Sequence, residues 1–199
     1  MKNLPKILTL FGFLSILTSG IILIFTFYPV FNTEINYEIK SVIKPFIKQS
    51  LKPIDTDFGI VILKIDANSK IVANVDPYNS KEYQWALTKG VAHARGSSFP
   101  GELGNVFIFS HSSVNFYEAV RYNSIFYLLN KLEKGDEIDL YYKDKKFKYL
   151  VNEKKMVNSG DIQYLSGKNS DRTVTLMTCW PPGTDLKRLI VIADYSSIN

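Results

Sequence analysis

From Ile7 to Thr33 the chain carries no charged residue, and the apolar part of that run, about Ile7 to Phe31, is dominated by Ile, Leu and Phe. A bilayer is crossed by about 20 such residues. In lipid the backbone must satisfy its own hydrogen bonds, so a run of this kind is expected to be an α-helix. A cleaved export signal has a shorter apolar region, about 7–15 residues. Thr18-Ser19-Gly20 offers small residues, yet the apolar run continues through Ile21-Ile22-Leu23-Ile24-Phe25. The segment is therefore expected to stay on the chain as an anchor. Charge does not set its orientation: Lys2 and Lys6 precede the run, and Lys40, Lys44, Lys48 and Lys52 follow it. That count alone favours a cytoplasmic C-terminal side, but long domains cross largely regardless of such counts.

Four regions follow: a short tail over 1–6, a transmembrane helix over 7–31, a juxtamembrane stalk over 32–55, and a folded domain over 56–199. Ile39, Val42, Ile43, Phe46 and Ile47 recur at helical spacing in the stalk. Pro45 predicts an interruption there. From Phe58 the pattern changes to short β-like runs. Phe58–Ile65, Ile71–Val75, Val106–His111, Glu137–Tyr142, Phe147–Val151, Thr173–Thr178 and Leu189–Ala193 read as strands. Asp66-Ala67-Asn68-Ser69 reads as a turn, and Asp144-Lys145 as the turn of a hairpin. A short helix is expected over 81–89, and a second from a cap at Asn123-Ser124 to Leu132. Many short strands with few helices predict a mainly β domain, either barrel or sandwich. The last strand lies close to the C-terminus, and no second anchor is expected after it.

Apolar residues make up 46% of the chain and aromatics 14%, enough for a sizeable core. The net charge is only +5, with lysines interleaved among acids as in Lys143-Asp144-Lys145-Lys146. That reads as a solvated surface. No nucleic-acid motif and no Gly-rich phosphate loop is present, so a nucleic-acid partner is not expected.

Cys179 is the only cysteine. An internal disulfide is excluded, and a lone thiol in an exported protein is a candidate nucleophile. It ends a strand-like run, Thr173-Val174-Thr175-Leu176-Met177-Thr178, and Arg188 opens the next. His111 closes an earlier run, Val106-Phe107-Ile108-Phe109-Ser110. A thiolate is the working nucleophile, and cationic neighbours lower a thiol's pKa. His111 is suited to that role and to protonating a leaving amine. Arg188, with a fixed charge and forked donors, is suited to an oxyanion. Taken singly, each has a plainer reading: a buried inert thiol, a surface histidine, a solvated arginine. Lys187 competes with Arg188, and His93 reads as structural.

Taken together these residues resemble the sortases, membrane-anchored cysteine transpeptidases of bacterial surfaces. The family signature is Thr-Leu-x-Thr-Cys at a strand end, with an Arg some eight to ten residues on; here it is Thr175-Leu176-Met177-Thr178-Cys179 and Arg188. The family's histidine follows a strand introduced by Pro-Gly-x-x-Gly-Asn; here that is Pro100-Gly101-Glu102-Leu103-Gly104-Asn105, then His111. The resemblance covers about Phe58 to Tyr195 and implies a closed β-barrel of about eight strands with short helices, held outside the cell. It implies that Cys179 attacks a Leu-Pro-x-Thr-Gly-like signal near the C-terminus of a surface or pilin protein. A thioacyl intermediate then passes to an amine from a cell-wall precursor or a pilin lysine. By the same resemblance His111 is the acid and base, Arg188 the oxyanion group, and Thr178 a residue that holds substrate. No metal or cofactor is implied. Ser110, Ser112-Ser113 and Trp180-Pro181-Pro182 depart from common family residues and bear on substrate preference. The rival readings are a tethered cysteine peptidase that only hydrolyses, and a non-enzymatic anchored β-domain.

Overall fold

The computed structural model describes residues 4–43, 51–111, 125–161 and 171–198. The chain divides into two compact units, Met1–Pro45 and Phe46–Asn199. In the first, α1 runs from Leu4 to Ile43. At 1.5 Å per residue it is about 60 Å long, roughly twice a bilayer's hydrocarbon thickness. It contains an apolar stretch, Leu8–Phe25, with none of its residues buried. Phe13 and Ile16 are 76% and 73% exposed. In water that surface is costly; in lipid it costs nothing. The threonine hydroxyls in the stretch bond back along the helix, Thr9 Oγ1 donating to Lys6 O and Thr18 Oγ1 to Leu14 O, each at 2.9 Å. The helix continues beyond Phe31, and its described part ends at Ile43. The second half of the amphipathic stalk pattern, including Phe46 and Ile47, lies outside the described residues.

The second unit is a closed eight-stranded barrel: β1 (Phe58–Ile62), β2 (Ala67–Val75), β3 (Val91–Ala94), β4 (Gly104–Phe109), β5 (Glu137–Tyr142), β6 (Lys145–Asn158), β7 (Arg172–Trp180) and β8 (Lys187–Ile198). Around the barrel the order is β1-β2-β3-β4-β7-β8-β6-β5. Pairs β2/β3 and β4/β7 are parallel and the rest antiparallel. Helix α2 (Ser80–Leu87), capped by Asn79 through the Glu82 N–H, makes the β2-to-β3 crossover. The barrel alternative is thus the correct one of the two left open by strand spacing.

Four local readings change. The first turn comes early: a 3₁₀ turn over Leu63–Ile65 closes on Asp66 at φ 52°, and residues 67–69, expected as the turn, already belong to β2. Their polar side chains are used elsewhere. Asn68 Nδ2 donates to Lys52 O and its Oδ1 accepts from Ile54 N–H, which clasps the segment before β1. The hairpin turn is Lys143-Asp144, both at positive φ (51° and 61°), the two-residue geometry that suits the strands' twist. Strand β3 was not expected at all, because Val91-Ala92-His93-Ala94 is too short to show alternation; it is buried throughout. Of the helix expected to end at Leu132, the described part is a 3₁₀ turn, Leu129–Lys131, and the cap at 123–124 lies outside the described residues.

Covered on both faces, β4 is buried at every position. Phe107 and Phe109 pack outward with Ala92, Ala94, Met177 and the α2 residues Ala86 and Leu87. Their alternates Val106 and Ile108 fill the barrel with Val174 and Leu176. Each such side chain contributes about 1.5–3 kcal/mol. The barrel is therefore rigid under the strand ends that matter below.

Candidate active site

Register alone pairs two of the residues singled out. In the antiparallel β7/β8 ladder Cys179 is directly opposite Arg188. Residues so placed share a face, with Cβ atoms about 4.5–5.5 Å apart. In the parallel β4/β7 ladder the last pair is Phe109↔Met177. His111 is two residues beyond that pair, on the segment whose Ser110 N–H donates to Met177 O at 3.1 Å. Met177 belongs to the outer cluster under α2, so alternation puts Cys179 on the outer face with it. The same alternation from Phe107 and Phe109 assigns His111 to that face. Cys179, His111 and Arg188 are all partly exposed.

The ladder continues past the strand limits expected from sequence: Trp180 pairs with Lys187, and residues 181–186 form the loop. Thr184 closes that loop on Pro181 O through its N–H at 3.0 Å and its hydroxyl at 2.8 Å. Arg188 Nη1 donates to Asp185 O at 3.0 Å and to Lys187 O at 3.1 Å. Both bonds use one nitrogen of the fork, which leaves the Nη2 and Nε donors for a ligand.

The electrostatics differ from the expectation that neighbouring cations would depress the thiol. Burial pushes the Cys179 thiol up; Arg188 pulls it down and Asp185 adds to the rise, and the net effect is upward. At neutral pH Cys179 is held as the thiol, so a base on the same face has to take its proton. His111, partly exposed and two residues beyond the last β4/β7 pair, is the candidate for that base. Asp185, one of the loop residues, had not been singled out, and nothing in its sequence surroundings marks it.

The two sequence motifs prove to be joined. Asn105 Oδ1 accepts from the hydroxyls of Thr173 and Thr175, each at 3.0 Å, near the start of the β4/β7 pair. At the far end Ser110 N donates to Met177 O at 3.1 Å, and Thr178 Oγ1 donates to Ser110 O at 3.0 Å. Thr178 thereby has a bonded partner at the end of β4. Its side chain is on the face opposite Cys179, is 2% exposed, and spends its hydroxyl on β4. Gly104, at φ 110°, has Ser98 Oγ where a side chain would go, so the bend into β4 requires glycine.

His93 is far from this face in role. It is fully buried, edge-on to Phe58 and tilted against Phe99. Its Nδ1 accepts the Asn74 N–H at 3.3 Å, and Nε2 lies 3.0 Å from Ser98 O and 2.8 Å from Ser97 Oγ. An accepting Nδ1 requires the neutral ring. Burial accordingly pushes His93 below its ordinary 6.5, with Ser98 O and Glu102 offsetting part of that. Unfolded, the ring takes a proton first as pH falls. Stability is therefore complete above about pH 6.5 and declines below it, through the interval down to the lower folded value. Thermal midpoints measured from pH 8 to 5 should be flat at first and then fall. His93→Phe should flatten the fall, and an unchanged slope in that variant would refute the assignment.

Among the described residues no group of three or more His, Cys, Asp or Glu side chains is placed to hold a metal ion.

Comparison with known proteins bears on the family and the fold. The sortase-domain family model matches residues 60–196. Sortase D of Bacillus subtilis (strain 168) is 29% identical over 150 residues, spanning 72% of this chain and 67% of that protein. The solved structure of a Clostridium perfringens sortase D5 transpeptidase matches with a TM-score of 0.59 at 25% identity, over 81% of this chain and 89% of the other. Sortase C1 of GBS pilus island 1 matches with a TM-score of 0.60 at 23% identity, over 70% of this chain and 64% of the other. This chain thus spans somewhat less than two thirds of that last relative.

Proposed function

The chain belongs to the sortase family, and from that premise we propose that it is a membrane-anchored cysteine transpeptidase acting on proteins with a C-terminal sorting signal. The observation that carries this reading is the direct pairing of Cys179 with Arg188, beside the strand end that bears His111. Cys179 Sγ, deprotonated by His111, attacks the carbonyl carbon of the signal's Thr in a Leu-Pro-x-Thr-Gly-like sequence. A C–S bond forms, the charge moves to the carbonyl oxygen, and Arg188 holds it. The C–N bond breaks as the imidazolium gives its proton to the leaving amine. An acceptor amine then attacks the thioester, His111 takes its proton, and the C–S bond breaks. The acceptor is a cell-wall precursor or a pilin lysine.

The membrane helix over 7–31 is the anchor, with 1–6 cytoplasmic, 32–55 as the stalk and the catalytic domain 56–199 outside the cell. The exposed apolar helix supports the anchor, and family membership supports the side. The protein is incubated with Leu-Pro-x-Thr-Gly-like peptides, with or without a glycine or lysine amine, and products are read by mass. We expect an amine-joined product and, without amine, a covalent acyl adduct on Cys179. Cleavage with no joining at high amine would make the protein a hydrolase. Neither adduct nor product from any peptide would refute both enzymatic readings.

A further inference from the structure

We propose that Thr178 is a positioning residue, which fixes His111 relative to Cys179 by holding the Ser110 carbonyl. This rests on the reading of Cys179 and His111 as the reacting pair. The β4/β7 backbone ladder ends at Phe109↔Met177, yet His111 is two residues further on. What bridges the gap is a grip on both polar backbone groups of Ser110. Its N–H donates to Met177 O at 3.1 Å, and its carbonyl accepts the Thr178 hydroxyl at 3.0 Å.

The carbonyl bond is the informative one. The Ser110 C=O and the His111 N and Cα lie in one rigid peptide plane. A hydrogen bond on that oxygen therefore sets the tilt of the plane, and with it the direction in which His111 leaves the strand. Its donor is adjacent to Cys179 on β7. One residue thus ties the carrier of the imidazole to the carrier of the thiol. The hydroxyl is suited to this because it is buried on the inner face, where water does not compete for the carbonyl. A residue that held substrate would have to face the side of Cys179, and Thr178 does not.

The full-length protein in detergent micelles tests this with Thr178→Val, which keeps the shape and loses the hydroxyl, and Thr178→Ser, which keeps the hydroxyl. On the peptide reaction we expect Thr178→Val to lower kcat about tenfold with KM within about twofold, and Thr178→Ser to restore most of it. A raised KM with unchanged kcat would return Thr178 to substrate binding, and equal losses in both variants would remove the hydroxyl from the account.

A second measurement needs no substrate. The rate of Cys179 alkylation by iodoacetamide is compared in wild type, Thr178→Val, His111→Ala and the double variant, with melting temperatures to show that each is folded. Thr178→Val should slow alkylation about fivefold in the wild-type background and change it less than twofold when His111 is already absent. The same factor in both backgrounds, or a His111→Ala rate equal to wild type, would overturn the proposal. Should Thr178→Val not fold, Thr178→Ala takes its place in the same cycle. Absence of any peptide product together with a coupled alkylation cycle would remove the transpeptidase reading and leave the Thr178–His111 linkage standing.

Discussion

Cys179→Ala should abolish acyl transfer while leaving the barrel as stable as before. The thiol is the only one in the chain, so no neighbouring cysteine can substitute for it. Loss of a covalent nucleophile typically costs at least about 10³-fold in rate, and the acyl adduct, which needs the C–S bond, should disappear from the mass spectrum. Cys179 is partly exposed, and the substitution removes one sulfur atom from a strand end paired with β8. The melting temperature should therefore move by no more than a few degrees. A variant that retained joining activity would remove Cys179 from the chemistry. One that lost activity only because it unfolded would leave the non-enzymatic reading open. The same thiol also reports on orientation. A membrane-impermeant maleimide added to intact cells should label the protein, since the barrel is proposed to lie outside. Labelling only after permeabilisation would reverse that orientation.

Sequence pointed to candidate site residues more readily than to the strands around them. Cys179 and Arg188 could be read as neighbours because only a tight loop separates two apolar runs, and an antiparallel pair with such a loop has little freedom of register. His111 was harder: β4 and β7 are parallel and 62 residues lie between Phe109 and Arg172, so no spacing rule links them. It was the family resemblance that joined the two motifs. Their physical connection, Asn105 with Thr173 and Thr175, and Thr178 with Ser110 O, was invisible because side-chain bonds across a crossover leave no periodicity. The role expected of Thr178 came only from the family resemblance, since nothing in the sequence shows that its hydroxyl is bonded to Ser110 O. Strand β3 escaped because four residues carry too little pattern. The raised thiol pKa escaped because burial is a property of the assembled surface and not of the neighbours in sequence.

The opposed effects at Cys179 make Arg188 the most informative residue to change. It has two separable jobs: its charge draws the thiol pKa down against burial and Asp185, and its remaining donors are suited to an oxyanion. Arg188→Ala removes both. Loss of an oxyanion donor costs about 10²–10³-fold, so kcat/KM for peptide cleavage should fall by about that factor or more. Removing the charge should also raise the thiol pKa further, because the two effects that push it up remain. The pH profile of iodoacetamide labelling should accordingly shift to higher pH. Arg188→Lys separates the two jobs. It restores a positive charge opposite Cys179 but not the planar fork, and its own backbone bonds to Asp185 O and Lys187 O would compete for a single ammonium. Its labelling profile should lie near wild type while its kcat/KM stays closer to that of Arg188→Ala. If lysine restored both together, charge alone would account for Arg188. If Arg188→Ala shifted neither the profile nor the rate, the pairing with Cys179 would be a matter of barrel structure and the oxyanion would have to be held by another group.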